Sequence, residues 1–157
     1  MIPDSLIRPV EDAQALVHAR ELFQEYWQSF DFTPCFQNFA DELAHLPGAY
    51  VRPDGRLALA WVEDVPAGCV ALRRHDARRA EAKRLYVRPA FRGRGIGSAL
   101  LQWVIAEARA AGYAEIVGDT MPVMTDALAL YDRMGFERTE PYLERPTVGA
   151  LCIRLRL

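Results

Sequence analysis

Apolar residues in the first third of the chain recur every three or four positions, as they do on one face of a helix. This spacing predicts a helix that Asp12 caps and that runs to about Phe30. A second helix is predicted from about Cys35 to His45, where Pro47-Gly48 stops the pattern. A short edge strand at residues 5–9 precedes both helices.

The central part of the chain consists of short apolar runs that are typical of strands. Two of these runs, at residues 57–62 and 69–73, flank a turn at residues 64–68 and predict a hairpin. A third strand is predicted at residues 80–88, and Pro89 ends it.

The last part of the chain alternates helical and extended patterns, with glycines where the helices end. The predicted elements are a helix at 96–111, a strand at 114–118, a helix at 125–134 and strands near 136–142 and 150–157. The whole order is β-α-α-β-β-β-α-β-α-β-β. It predicts a single α/β (α+β) domain over residues 1–157, with a mixed, largely antiparallel central sheet flanked by helices.

The basic residues are concentrated in one segment. Residues 1–72 hold 4 Lys/Arg and 11 Asp/Glu, a net charge of −7, whereas residues 73–94 hold 9 and 2, a net charge of +7. Such a cluster indicates an anionic partner or, equally well, a solvated basic face. Because the whole chain carries −2 and shows no nucleic-acid-binding motif, we expect no nucleic acid partner.

Several classes of protein are disfavoured by the composition. No apolar run approaches the ~18 residues of a membrane-spanning helix, and no signal peptide is visible. Cys35, Cys69 and Cys152 form neither a disulfide framework nor a metal-binding pattern. We therefore expect a cytoplasmic protein with no metal and no membrane partner.

The strongest motif is the glycine-rich turn Arg92-Gly93-Arg94-Gly95-Ile96-Gly97, between a predicted strand and a long helix. Glycines let backbone N–H groups approach an anion closely, and a helix N-terminus carries unpaired N–H groups and partial positive charge. Arg92 and Arg94 add full charges, so the turn suits a diphosphate. Tight packing is the alternative, and neither the Walker loop nor the dinucleotide fingerprint fits these residues.

These residues resemble a known family. Arg92-x-x-Gly95-x-Gly97, following Leu85-Tyr86-Val87-x-Pro89, resembles motif A of the GNAT superfamily of acyl-CoA-dependent N-acyltransferases. Residues 127–136, Ala-Leu-Ala-Leu-Tyr-Asp-Arg-Met-Gly-Phe, resemble its motif B, and the order of elements is also similar. The resemblance implies an N-acetyltransferase that moves an acetyl group from acetyl-CoA to a primary amine, by direct attack in a ternary complex.

The resemblance also implies which residues hold the donor. The pantetheine arm would pair with the backbone of Leu85, Tyr86 and Val87, whose N–H groups would polarise the thioester carbonyl. The diphosphate would lie on the glycine turn, with contributions from Arg92, Gly93, Arg94, Gly95, Ile96 and Gly97. Many members carry Asn seven residues before the motif B tyrosine, but Met124 stands there in this chain.

Two side chains are implied in catalysis. In relatives a glutamate at the position of Glu81 acts as general base, and strand alternation predicts that Glu81 shares a face with Leu85 and Val87. The alternative is a salt bridge from Glu81 to Lys83 or Arg84.

The second is Tyr131, whose counterpart faces the CoA sulfur, where its hydroxyl would protonate or hydrogen-bond the leaving thiolate. The alternative is that Tyr131 only fills the core.

The acceptor and the assembly state stay open at this stage. A small-molecule amine and a protein amine are both compatible with the sequence, as is a homodimer. If residues 1–72 and 73–94 face opposite ends of one cleft, we expect a preference for cationic amines, aided by Tyr26, Trp27 and Phe32. The alternative function is a non-catalytic acyl-CoA sensor or partner-binding module of the same fold.

Overall fold

The elements follow the predicted order. The computed structural model describes residues 6–29, 39–144, 146 and 148–157; Ser5, Phe32 and Cys35 lie outside these ranges. The elements are β1 (Ile7–Pro9), α1 (Ala13–Gln28), α2 (Phe39–Ala44), β2 (Arg56–Val62), β3 (Val65–Arg74), β4 (Arg79–Val87), α3 (Ile96–Ala110), β5 (Glu115–Thr120), α4 (Thr125–Arg133), β6 (Glu137–Thr139) and β7 (Leu151–Arg156).

The strands form one seven-stranded sheet in the order β1-β2-β3-β4-β5-β7-β6. All neighbouring strands are antiparallel except β4 and β5, which are parallel and are connected through α3. A helical crossover is what a parallel pair requires. The last strand, β7, lies between β5 and β6.

Helices cover both faces of the sheet. Leu100 and Val104 of α3 share a buried core with Val70 of β3, whereas Phe23 of α1 shares a second core with Ala71. Because neighbouring residues of β3 point to opposite faces, both cores meet on this strand. We refer to the two sides of the sheet as the α3 face and the α1 face.

The β2–β3 hairpin is tighter than predicted. Glu63 and Asp64 form its turn with positive φ angles of 48° and 66°, and β3 begins directly at Val65. Positive φ at both central residues matches the two-residue turn whose twist suits a hairpin. The predicted turn at residues 64–68 was too long, because residues 65–68 already belong to β3. Pro66 lies beside a register shift of β2, where a missing N–H is tolerated.

A bulge interrupts β4 at Arg84. Cys69 pairs with Tyr86 and Ala71 pairs with Lys83, so β4 contains one more residue than β3 between these rungs. Arg84 has a positive φ of 60°, a conformation that is costly for a residue with a side chain. Strain of this kind is common at functional sites.

The bulge corrects one prediction about Glu81. Up to Lys83 the odd-numbered residues of β4 point to the α1 face, but beyond the bulge Tyr86 points there instead. Leu85 and Val87 pack on the α3 face. The prediction that Glu81 shares a face with Leu85 and Val87 is therefore wrong, because simple alternation does not hold across an inserted residue.

The parallel strands separate after three rungs. Arg79, Ala80 and Glu81 pair with β5, and the last of these rungs joins Glu81 to Val117. In the described chain β4 continues to Val87 and β5 to Thr120 without further pairing between them. The resulting gap leaves backbone groups of both strands without partners across it.

Candidate active site

A cleft lies in the gap between β4 and β5. It is narrow and partly open to solvent. Its walls come from both sides of the sheet, because α1 contributes from the α1 face and α4 from the α3 face. The lining residues are Tyr26 of α1, residues 82–85 of β4, Asp119 and Thr120 of β5, and Met124, Ala127 and Tyr131 at α4.

The glycine turn forms an open surface at the start of α3. Gly93 and Gly95 have positive φ angles of 80° and 78°, which glycine adopts without strain. Gly95 caps α3 with no side-chain hydrogen bond to its first N–H groups. A Cβ atom on Gly93 would meet nothing within 4 Å. The first turn of α3 therefore presents uncapped N–H groups that can bind an anion.

Two arginines border this turn. The Nε of Arg92 donates to the Val87 carbonyl at 3.0 Å, and its guanidinium lies 5.9 Å from the Tyr86 ring centroid. The guanidinium of Arg94 lies 5.6 Å from the Phe91 ring centroid. Neither arginine forms an ion pair with a carboxylate in the described ranges. Their charges are thus available beside the helix N-terminus, as the diphosphate prediction requires.

Most of the other basic residues of the segment 73–94 form ion pairs with carboxylates of the same chain. Arg74 pairs with Asp54 at 3.9 Å, Arg84 with Glu42 at 2.9 Å and Arg88 with Glu25 at 2.6 Å.

Acidic residues of the segment 1–72 therefore form ion pairs with the basic segment 73–94. The predicted separation of these charges to two ends of a cleft is wrong. The aromatic residues are also engaged, since Trp27 stacks on Phe39 at 4.4 Å; Phe32 lies outside the described residues.

Glu81 is deeply buried, with an exposed fraction of 1%. Arg73 Nε donates to one of its oxygens at 2.7 Å, and the Tyr142 hydroxyl donates to the other at 2.5 Å. Lys83 Nζ lies 3.7 Å from the same oxygen as Tyr142. The sequence did not indicate Arg73 or Tyr142 as partners. Arg73 lies on the neighbouring strand β3, and Tyr142 lies 61 residues away along the chain.

These contacts fix the charge state of Glu81. Burial raises the pKa of the carboxyl. The charges of Lys83 and Arg73 and the hydrogen bonds from Tyr142 and Arg73 lower it by a larger amount, so the pKa of Glu81 lies below its ordinary value. An ionised carboxylate with both oxygens occupied is a weak proton acceptor. The geometry favours the alternative prediction of a salt bridge, to Lys83 and Arg73, while Arg84 pairs with Glu42 instead.

Tyr131 lines the cleft from α4 and is buried. Its ring packs edge to face on Phe136 at 5.2 Å, and its hydroxyl has no hydrogen-bond partner in the described part of the chain. Burial raises the pKa of the phenol, and the charges of Tyr26 and Asp119 raise it further. Tyr131 therefore stays a neutral O–H donor, and it both fills the core and faces the cleft.

Met124 occupies the position at which many members of the family have asparagine. It caps α4 without a side-chain hydrogen bond to the helix, and the Thr120 hydroxyl donates to its sulfur at 3.6 Å. Met124 therefore contributes a largely apolar wall to the cleft.

Asp119 is a cleft residue that the sequence analysis missed. It is half-buried on β5 and has neither a hydrogen bond nor an ion pair with any residue of the described ranges. A signal for it exists in the sequence, since it is a charged residue inside the strand Ile116-Val117-Gly118-Asp119-Thr120. Nothing in the pattern shows that β4 and β5 separate beside it.

Other reactive groups do not extend the site. Cys69 and Cys152 are buried free thiols, and Cys69 Sγ donates to the Arg84 carbonyl at 3.2 Å. No three metal-ligating side chains come together among the residues that the structure describes. Within the same ranges, no helix has the length and apolar character needed to cross a membrane.

Comparisons with known sequences identify the family of the chain. The model of the acetyltransferase (GNAT) family matches residues 16–136. An uncharacterised N-acetyltransferase of Schizosaccharomyces pombe is 37% identical over 153 residues, which cover 96% of this chain and 94% of that protein. The chain therefore belongs to the GNAT acetyltransferase family.

Solved structures show the same fold. An acetyltransferase from Streptococcus agalactiae matches with a TM-score of 0.79 at 20% identity, covering 96% of this chain and 97% of that one. A Salmonella typhimurium protein solved with its cofactor acetyl-CoA matches with a TM-score of 0.74 at 18% identity, covering 96% and 92%. The predicted fold class is confirmed, and acetyl-CoA is bound by a protein of this fold.

Proposed function

We propose that this protein transfers the acetyl group of acetyl-CoA directly to a primary amine, in a ternary complex within the cleft between β4 and β5. The observation that carries this proposal is that the cleft is lined from both faces of the sheet. Donor and acceptor can therefore approach one point from opposite sides. This arrangement brings the reacting atoms together without a covalent enzyme intermediate.

The donor would bind on the α3 face. The uncapped first turn of α3 and the charges of Arg92 and Arg94 suit the diphosphate of acetyl-CoA. From there the pantetheine arm would run along the backbone of residues 85–87 to the cleft. The β4 backbone has no β5 partner there. Apart from the Val87 carbonyl, which accepts from Arg92, the polar groups that face the gap are available to the arm and to the thioester carbonyl.

The leaving sulfur would lie near Tyr131. The neutral phenol has an O–H group with no protein partner in the described ranges, and it lines the same cleft. A hydrogen bond from this O–H would stabilise the negative charge that develops on sulfur as the C–S bond breaks. Because its pKa is raised, Tyr131 acts as a hydrogen-bond donor rather than a strong acid.

A thiol-release screen tests this function. The protein is incubated with acetyl-CoA and a panel of amines, with free thiol measured continuously and each acetylated product identified by mass spectrometry. We expect thiol release that depends on at least one amine, with one acetyl group added to that amine. Binding of acetyl-CoA without amine-dependent thiol release across the panel would instead support the sensor.

A further inference from the structure

Asp119 is a carboxylate in the cleft to which the roles above assign nothing. Glu81 and Val117 form the last rung between β4 and β5, and two residues further along each strand stand Lys83 and Asp119. These two residues therefore face each other across the start of the gap. Alternation along both strands places them on the same face of the sheet as Glu81.

The register with β7 identifies that face. Gly118 pairs with Ile153, which belongs to the core of the α3 face, whereas Asp119 pairs with Cys152. Asp119 thus points to the α1 face, where Tyr26 also lines the cleft. The glycine turn and Tyr131 belong to the opposite side. Asp119 lies on the side from which the acceptor would approach.

Lys83 acts on Asp119 across the gap without forming an ion pair, and a half-buried carboxylate that accepts no hydrogen bond is costly unless a ligand supplies one. Glu81 has its oxygens filled by Arg73 and Tyr142, whereas Asp119 has no such contact in the described ranges. We propose that Asp119 binds the ammonium group of the acceptor and removes its proton, and that it, rather than Glu81, is the general base. This inference rests on the proposed function.

The proposed step balances as follows. One proton passes from the acceptor ammonium to Asp119, which frees the nitrogen lone pair. That pair forms the C–N bond to the acetyl carbon, and the C–S bond breaks with its electrons moving to sulfur. A second nitrogen proton goes to the departing sulfur, whose charge Tyr131 stabilises. Asp119 then releases its proton to solvent.

The groups around Asp119 include three phenols and a lysine whose pKa values are shifted by burial. Burial raises the pKa of the phenols there, so they stay neutral through the working range, and burial lowers the pKa of Lys83. The titratable and charged groups that face this part of the cleft are Tyr26, Glu81, Lys83, Arg84, Tyr131, Tyr142 and Cys152.

The test compares Asp119→Asn with wild type and with Asp132→Asn, an exposed α4 carboxylate that serves as the matched control. Each protein is assayed with an alkylamine, which arrives protonated, and with an arylamine, which arrives neutral. Acetyl-CoA affinity and amine affinity for the CoA complex are measured by calorimetry. We expect Asp119→Asn to lose about 100- to 10,000-fold in kcat/KM with the alkylamine and less than tenfold with the arylamine.

The affinities complete the expected pattern. Acetyl-CoA should bind Asp119→Asn within twofold of wild type, and the alkylamine should bind more weakly. If Asp119→Asn keeps the wild-type kcat/KM, this inference is overturned and the proposed function is not. The same holds if kcat/KM falls equally with both amines and acetyl-CoA binds more weakly. A wild-type protein that acetylates neither amine, nor any other in the panel, overturns the proposed function and this inference together.

Discussion

Glu81→Gln separates a structural carboxylate from a catalytic one. The substitution keeps the shape of the side chain and removes its charge. Arg73 at 2.7 Å and Lys83 at 3.7 Å then face a neutral amide, and the Tyr142 hydroxyl loses a charged acceptor. Two cations and a phenol are left around a site with an exposed fraction of 1%.

The cost follows from the burial of each partner. Breaking a buried ion pair by removing one partner costs about 3–5 kcal/mol. The low end applies here because Arg73 is 35% exposed and can turn to water. We therefore expect Glu81→Gln to lower the free energy of unfolding by about 3 kcal/mol. For a chain of this size that corresponds to a fall in Tm of about 6–12 °C.

Urea denaturation at neutral pH measures the loss, with Glu137→Gln as the control. Glu137 is more than half exposed and pairs with Arg154 at 2.9 Å on the sheet edge, so its loss should cost less than about 1 kcal/mol. Because the folded pKa of Glu81 lies below its unfolded pKa, its contribution is present above the unfolded pKa. This contribution is lost as the pH falls through the folded pKa. The difference in the free energy of unfolding between wild type and Glu81→Gln therefore becomes smaller in acid. Unchanged stability together with a collapse of kcat would refute this reasoning and restore Glu81 as the base.

Three further predictions concern the donor side. Tyr131→Phe should lower kcat about 10- to 1000-fold while Tm shifts by less than about 4 °C, because only an unpartnered O–H is removed; unchanged kcat would leave Tyr131 a packing residue. Acetyl-CoA at 100 times its Kd should raise Tm by about 5–10 °C, and Gly95→Val should abolish that shift, since valine cannot adopt a φ of 78° without strain; a full shift in the variant would move the site elsewhere. Arg94→Gln should weaken acetyl-CoA binding by about 10- to 100-fold in calorimetry, more at low salt than at high, and an unchanged Kd would exclude that contact.

The sequence predicted most of what depends on local pattern. The order of helices and strands follows from apolar spacing, and the glycine turn follows from residues that are contiguous in the chain, Arg92 to Gly97. The place of Tyr131 in the cleft could be predicted because this residue lies in a motif with a fixed spacing. These features require no knowledge of which strand lies beside which.

Features that depend on non-local pairing could not be predicted in the same way. The bulge at Arg84 is visible only once β3 and β4 are in register, and it reversed the predicted face of Glu81 relative to Leu85. The partners of Glu81 come from β3 and from Tyr142, far away in sequence. Asp119 becomes a cleft residue only because β4 and β5 part beside it.

The charge counts likewise did not predict where the charged residues lie in the fold. The counts for residues 1–72 and 73–94 are correct, but they do not show that Glu25, Glu42 and Asp54 reach across to arginines of the basic segment. Arg92 and Arg94, next to the glycine turn, form no ion pair in the described ranges, so the anion binding that the cluster indicated stays a prediction for them.

Initial rates measured while acetyl-CoA and the acceptor amine are both varied give the most direct test of direct transfer in the cleft. With both reactants bound at once, double-reciprocal plots should intersect, and thiol release should match acetylated amine one for one. Parallel lines would indicate a covalent acetyl-enzyme, and thiol release independent of the amine would indicate hydrolysis. Either result would contradict acetyl transfer in a ternary complex between β4 and β5.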